Sequence, residues 1–319
     1  MKAAIIGLGV IGKVHYEVLR SEGEDIVALC DVDFDKLGEY EGIKKYYDYK
    51  TMLDVEKIDV VHVCTPHYLH AEMVIYALQK GVNVLCEKPL CINEKQIGEI
   101  LEAEKKSKAI LGVCFQNRYN NSSQFAKEYL QGKKIESASG TLKWHRDEAY
   151  YKSADWRGKL ATEGGGVLIN QAIHTLDLLC WIVGMPKAVV GETSNESLKG
   201  VIEVEDTTHA TYFGEQSFEL FATNTSPQDM PIELRFLAEN EQIVITPESA
   251  CVNGKSVDID KAPKSLGKAS YGGGHRALIH DFYNCVKNGK KFWIDGEEGA
   301  KALRAVLATY RSNGKRVEI

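Results

Sequence analysis

Residues 1–12 read MKAAIIGLGVIG, and the stretch Gly7-Leu8-Gly9-Val10-Ile11-Gly12 decides the fold of the first part of the chain. Three glycines at this spacing are a loose signal on their own. Here a short β-branched run (residues 3–6) enters the loop, a helix-like stretch (residues 11–20) leaves it, and Asp31 closes the next apolar run, 19 residues after Gly12. In that setting the three glycines allow, in turn, a tight turn, close approach of the backbone to a pyrophosphate, and close helix–strand packing, with phosphate on the helix N-terminus. The bland alternative is a strand-to-helix turn that binds nothing. Asp31 is expected to accept hydrogen bonds from the adenosine ribose. Val32, Asp33 and Asp35 bring no cation for a 2′-phosphate, so NAD is favoured over NADP.

Outward from the loop, runs at 3–7 (AAIIG), 26–31 (IVALCD), 59–64 (DVVHVC), 82–87 (VNVLCE) and 109–115 (AILGVCF) alternate with longer amphipathic stretches. That alternation predicts an α/β Rossmann-type parallel sheet covered on both faces. After Tyr119 an apolar helix is expected over residues 167–183, followed by strand-like segments at 207–213, 217–223, 232–238 and 242–247. Their period-two pattern predicts an α+β domain with a large, mostly antiparallel, open-faced sheet. The division falls within residues 117–120, giving a dinucleotide-binding domain over 1–118 and a substrate-binding and oligomerisation domain over 119–319.

The chain has 319 residues, 44% of them hydrophobic and 26% charged, with a formal net charge of -6. No basic field is available for a nucleic-acid backbone or an anionic membrane, so a small molecule is the expected partner. The first apolar run is too short for a signal-peptide core, and no window approaches a membrane span by this reading. The eight cysteines include no Cys-x-x-Cys pair, and several fall inside apolar runs. Buried, reduced thiols in a cytoplasmic protein are expected, with no metal site.

Lys88 follows the run 82–87 and precedes Pro89. The residue before proline is kept out of the helical region, so the lysine stays extended where a strand leaves the sheet, on the side that borders the ligand crevice. An ordinary surface lysine ahead of a loop proline is the competing reading. Farther on, Gly164-Gly165-Gly166 precedes an apolar segment in which Asn170, His174 and Asp177 share one face at 100° per residue, opposite Leu168, Ala172, Leu176 and Leu179. A solvated stripe explains this as well as a cleft does. Trp144-His145-Arg146, Tyr150-Tyr151 and Trp156-Arg157-Gly158 interleave aromatics with arginine, which suits either a polyhydroxyl ring or a protein interface.

The combination GLGVIG (7–12), CTPHYLH (64–70) and CEKPL (86–90) resembles the Gfo/Idh/MocA family of NAD(P)-dependent sugar and cyclitol oxidoreductases. The resemblance implies that Lys88 lies beside the nicotinamide and contacts the reacting hydroxyl. It implies that Thr65, Pro66 and His70 line the cofactor, although His70 equally suits a solvent-facing helix start. Glu87, Gln116, Trp156 and Arg157 join the loop residues Gly7, Leu8, Gly9, Val10, Ile11 and Gly12, and Asp31, as the expected cofactor-side set. Asn117, Tyr150, Arg157, Asn170, His174 and His275 join Lys88 on the substrate side. His174 is implied as the acid/base partner of Lys88, and His275 as a cleft residue, although it also reads as a helix-start histidine. Many members carry Asp where this chain has Asn170. An amide cannot raise a neighbour's proton affinity as a carboxylate does.

The expected activity is hydride transfer between nicotinamide and a secondary alcohol or ketone of a sugar, cyclitol or nucleotide-linked sugar. The carbinol would lie between the nicotinamide C4 atom and the pair Lys88 and His174, which could exchange roles. Two rivals are a non-catalytic dinucleotide sensor and an NAD-dependent glycosidase that oxidises C3 transiently. An open sheet face needs cover, so a homodimer or homotetramer is expected.

Overall fold

The computed structural model describes residues 1–259 and 273–319. They form two compact units, one of residues 1–116 with 275–300 and one of residues 117–259 with 273–274 and 301–319. Residues 275–300 thus pack with the first unit, an assignment that a single cut at 118/119 does not make.

The first unit is built on six strands, β1 (Lys2–Ile6), β2 (Asp25–Cys30), β3 (Lys44–Tyr46), β4 (Val60–Val63), β5 (Asn83–Glu87) and β6 (Leu111–Cys114). All pairings are parallel and the order is β3-β2-β1-β4-β5-β6. Helices α1 (Val10–Ser21), α2 (Tyr49–Val55), α3 (His70–Gln79) and α4 (Glu94–Lys106) make the connections. Strands covered on both faces carry unbroken apolar runs, and every residue of β4 is buried, His62 included. The strand order reverses between β1 and β4, so the glycine loop after β1 and the Thr65-Pro66 turn after β4 flank the switch point, where this architecture binds ligands.

The second unit contains α5 (Asn121–Tyr129), α6 (Glu148–Lys152), α7 (Leu160–Glu163) and α8 (Ile173–Val183). Its strands are β7 (Ile135–Lys143), β8 (Ala188–Ser194), β9 (Thr207–Phe213), β10 (Phe218–Thr223), β11 (Glu233–Ala238), β12 (Glu241–Thr246), β13 (Ser249–Val252), β14 (Lys255–Ser256) and β15 (Val317–Glu318). They form one sheet in the order β14-β13-β12-β11-β7-β10-β9-β8-β15, antiparallel except for the β7–β10 pair. Burial alternates along β9, β10 and β11, as in a sheet with one packed and one open face.

Contrary to the expectation that no window approaches a membrane span, Leu160–Val183 is long and apolar enough by composition to cross one. In the structure 83% of its most apolar window is buried, because α8 lies in the core of the second unit. The eight cysteines are all free among the described residues.

Candidate active site

The glycine loop has the shape a pyrophosphate requires. Gly7 sits at φ +92°, and a Cβ there would lie 2.6 Å from the Cys64 carbonyl oxygen; a Cβ on Gly12 would lie 1.9 Å from the Gly7 carbonyl oxygen. Both positions therefore demand glycine. Gly9 has nothing within 4 Å of its Cβ position, so the backbone there is open to close approach. Gly9 is also the N-cap of α1, with no side-chain cap and no acidic residue in the first turn. The first-turn N–H groups and the positive end of the helix thus remain available to an anion. Leu8 is buried, Ile11 half-buried and Val10 exposed.

Asp31 follows β2 and is 8% exposed. Its Oδ2 accepts from the Leu8 N–H at 2.7 Å and its Oδ1 from the Asp33 N–H at 2.9 Å. The carboxylate therefore also braces the glycine loop, a role the spacing alone does not reveal. Lys36 Nζ lies 3.6 Å from Asp31 Oδ1 and 3.5 Å from Asp33 Oδ2, a cation one residue beyond the Val32, Asp33 and Asp35 set on which the preference for NAD was argued.

Past β4, His70 is fully buried, with Nε2 2.8 Å from the Thr65 carbonyl and Nδ1 2.7 Å from the Pro89 carbonyl. Burial pushes its pKa down while the two carbonyls pull it up. His70 is not a solvent-facing helix start: it ties the Thr65-Pro66 turn to the segment following Lys88, with both ring nitrogens engaged by backbone. Lys88 is half-buried just beyond β5, and its N–H donates to Glu87 Oε2 at 3.2 Å. Glu87 itself is buried beside His15, with Oε1 3.0 Å from His15 Nε2. His15 Nδ1 lies 2.7 Å from His62 Nδ1, and His62 Nε2 lies 2.9 Å from the Tyr283 hydroxyl. His275 is 4% exposed, with its ring 6.0 Å from that of His15. Gln116, the last residue of this stretch of the first unit, is buried.

In the second unit the helix around His174 is not regular. Residues Leu168–Ala172 form a π-helical turn ahead of α8, where the sequence pattern predicts a regular helix. Asn170 donates from Nδ2 to Oε1 of Glu163, and Glu163 Oε2 accepts from the Gly158 N–H. Glu163 is 1% exposed, and burial pushes its carboxyl up to about 7 against those two hydrogen bonds. Asp177 is not a surface carboxylate. It is 1% exposed and forms a two-pronged ion pair with Arg118, Nε to Oδ2 at 2.8 Å and Nη2 to Oδ1 at 2.7 Å, which occupies both of its oxygens. His174 is half-buried.

The glycines 164–166 are not a flexible spacer. A Cβ on Gly165 would lie 2.1 Å from the Tyr310 hydroxyl, and one on Gly166 would lie 1.9 Å from the Glu205 carbonyl oxygen. Glu205 accepts from the Gly166 N–H at 2.8 Å, the Leu168 N–H at 2.9 Å and the Tyr310 hydroxyl at 2.9 Å. Burial raises its pKa, while the N–H and hydroxyl donors oppose the rise. Gly166 lets backbone pack on backbone, and Gly165 makes room for the Tyr310 side chain.

Trp156 and Arg157 are half-buried and stacked. The Arg157 guanidinium lies 4.8 Å from the Trp156 ring and 4.4 Å from the Tyr150 ring, and Nη1 donates to the Tyr150 hydroxyl. Gln171 Nε2 reaches the same hydroxyl at 3.2 Å. Two hydrogen-bonded groups result in this unit, Arg157–Tyr150–Gln171 and Asn170–Glu163–Gly158, which are neighbours along the chain at residues 157 and 158. Asn117 is buried, its Oδ1 3.4 Å from Asn120 Nδ2. Sequence reading missed Glu163, Glu205 and Arg118 here, and His15, His62 and Cys114 in the first unit.

Known proteins bear on this arrangement. Residues 1–115 match the profile described as "Oxidoreductase family, NAD-binding Rossmann fold", and residues 132–236 match the "GFO/IDH/MocA C-terminal domain". Myo-inositol 2-dehydrogenase of Thermotoga maritima is 30% identical over 189 residues, 58% of this chain and only 55% of that protein. The chain thus spans little more than half the length of that curated relative. D-apiose dehydrogenase of Paraburkholderia graminis is 26% identical over 100% of this chain and 89% of its own. The crystal structure of the WlbA dehydrogenase from Bordetella pertussis in complex with NADH and UDP-GlcNAcA superposes with a TM-score of 0.86 at 26% identity, over 100% of this chain and 98% of that one. With both halves matched and the glycine cradle in place, the chain belongs to the Gfo/Idh/MocA family of oxidoreductases, with an NAD-binding Rossmann domain.

Proposed function

We propose that this protein is an NAD-dependent dehydrogenase acting on a secondary alcohol of a sugar, cyclitol or nucleotide-linked sugar. The single observation that carries the reading is the cradle after β1: two positions only glycine can occupy, an open Gly9 and an uncapped α1. The dinucleotide, when bound, supplies the hydride acceptor or donor at its nicotinamide ring. Gly7 to Gly12 would hold its pyrophosphate, and Asp31 its ribose, with Thr65, Pro66, Gln116, Trp156 and Arg157 on the cofactor side.

In this reading His174 holds and moves the hydroxyl proton of the substrate. Lys88 contributes the positive charge that stabilises the developing alkoxide. Asn170, Asn117, Tyr150 and Arg157 would orient hydroxyl groups. The Asn170 side chain is itself oriented by the buried carboxylate of Glu163.

A homodimer or homotetramer belongs to the same reading, built on the open sheet face that carries Glu219 and Arg235. Eight free thiols support a reducing, cytoplasmic setting. A screen of free sugars, sugar acids, cyclitols and nucleotide-linked sugars for NAD reduction, followed by the absorbance of reduced nicotinamide, tests the reading. Turnover with one class would support the assignment. NAD binding without turnover on any class would remove the dehydrogenase reading.

A further inference from the structure

The first unit buries four metal-binding side chains from four elements: His15 on α1, Glu87 ending β5, Cys114 ending β6 and His275 at the start of the helix Gly274–Lys287. One donor atom from each lies within 4.8 Å of all the others. His15 Nε2 is 3.0 Å from Glu87 Oε1 and 3.9 Å from Cys114 Sγ, and Glu87 Oε1 is 3.9 Å from His275 Nε2. Zinc bonds near 2.0–2.1 Å to nitrogen and oxygen and near 2.3 Å to sulfur imply tetrahedral edges of roughly 3.3–3.7 Å. The observed separations straddle that range.

We propose that His15, Glu87, Cys114 and His275 form a structural site for a divalent transition ion, zinc above all. A thiol, two imidazoles and one carboxylate suit zinc and are foreign to magnesium or calcium, which take oxygen donors. Four protein donors leave no open position, so the ion would hold structure and activate no water. As thiolate and carboxylate, the donors would neutralise a 2+ ion in a place where an uncompensated charge is costly.

The surroundings fit a ligated His15. With Nε2 on the metal, Nδ1 carries the proton and donates to His62 Nδ1, and His62 Nε2–H then donates to the Tyr283 oxygen. This is the outer-shell pattern that fixes a ligating imidazole. A His15–Glu87 hydrogen bond alone requires neither Cys114 nor His275 at the same point. No Cys-x-x-Cys or His-x-x-x-His signature announces the site, because the four donors are scattered from residue 15 to residue 275. The site would take Glu87 and His275 out of the cofactor-side and substrate-side sets that the family resemblance implies, and it uses none of the other residues of the hydride-transfer reading.

The experiment uses the full chain, purified and reconstituted with Zn²⁺ or Co²⁺ after chelation. Expected are one equivalent of metal per chain by atomic emission, and, for cobalt, tetrahedral d–d bands with a thiolate charge-transfer band. Cys114→Ser should abolish the charge-transfer band, and His62→Gln should weaken zinc affinity by roughly 10- to 100-fold. Folded wild-type protein that takes up neither ion, or a charge-transfer band that survives Cys114→Ser, would overturn the proposal. The wild-type cobalt spectrum decides by itself should a variant fail to fold.

Discussion

The side-chain amide of Asn170, inside the π-helical turn, donates to the buried carboxyl group of Glu163, seven residues upstream and on the other side of the glycine run 164–166. Asn170 is therefore an amide backed by a carboxyl group, and that group holds its proton to about pH 7 because it is buried. A group whose pKa is raised on folding stabilises the fold fully below its ordinary value, 4.5, and loses that contribution as pH rises through about 7. The span corresponds to roughly 3 kcal/mol. Glu163→Gln should flatten the stability profile across this window and leave the variant more stable than wild type at pH 8. Denaturant melts at several pH values measure it, and parallel profiles for the two proteins would contradict the assignment.

Gly9 and Gly12 separate ligand binding from folding. Ala at Gly12 drives a methyl group into the Gly7 carbonyl, whereas Ala at Gly9 meets no protein atom. Gly12→Ala should lower both thermal stability and NAD affinity. Gly9→Ala should keep the melting temperature and still lose NAD affinity by about 10-fold or more, since a clash with the pyrophosphate costs at least a kcal/mol or so. Calorimetric titration reads the affinity, and full-strength NAD binding by Gly9→Ala would argue against pyrophosphate on this loop.

Lys88→Ala and His174→Ala should each retain NAD binding while hydride transfer falls by about 10²- to 10⁴-fold, the usual worth of a positioned acid or base. Single-turnover reduction of bound NAD is the appropriate assay. An unchanged rate in either variant would release that residue from the chemistry.

The Arg118–Asp177 pair is sealed in the second unit, with both side chains 1% exposed. Asp177→Ala leaves a buried guanidinium without its two-pronged partner, so a loss of about 3–5 kcal/mol is expected. Arg118→Lys should not substitute, because an ammonium cannot present two parallel donors. An Asp177→Ala loss below about 1 kcal/mol would mean that water replaces the partner readily.

The features legible in sequence are those whose cause is local. The Gly7–Gly12 loop, the buried β4 run and the place of Lys88 just beyond β5 each follow from a few consecutive residues. The missed features depend on partners far away in the chain. Glu205 reads as one acid among many until its carboxylate is seen capping the backbone of Gly166 and Leu168. The π-helical turn leaves the apolar pattern nearly intact, so a regular helix is the natural reading of those residues. Likewise, the amphipathic pattern of Gly274–Lys287 declares a buried face without declaring which core receives it.

The fit of the residue 164–166 backbone against Tyr310 and Glu205 also governs which amides exchange with solvent. The N–H groups of Gly166 and Leu168 end on a buried carboxylate, so their deuterium uptake should be governed by global opening of the unit, slow where a glycine run ordinarily exchanges fast.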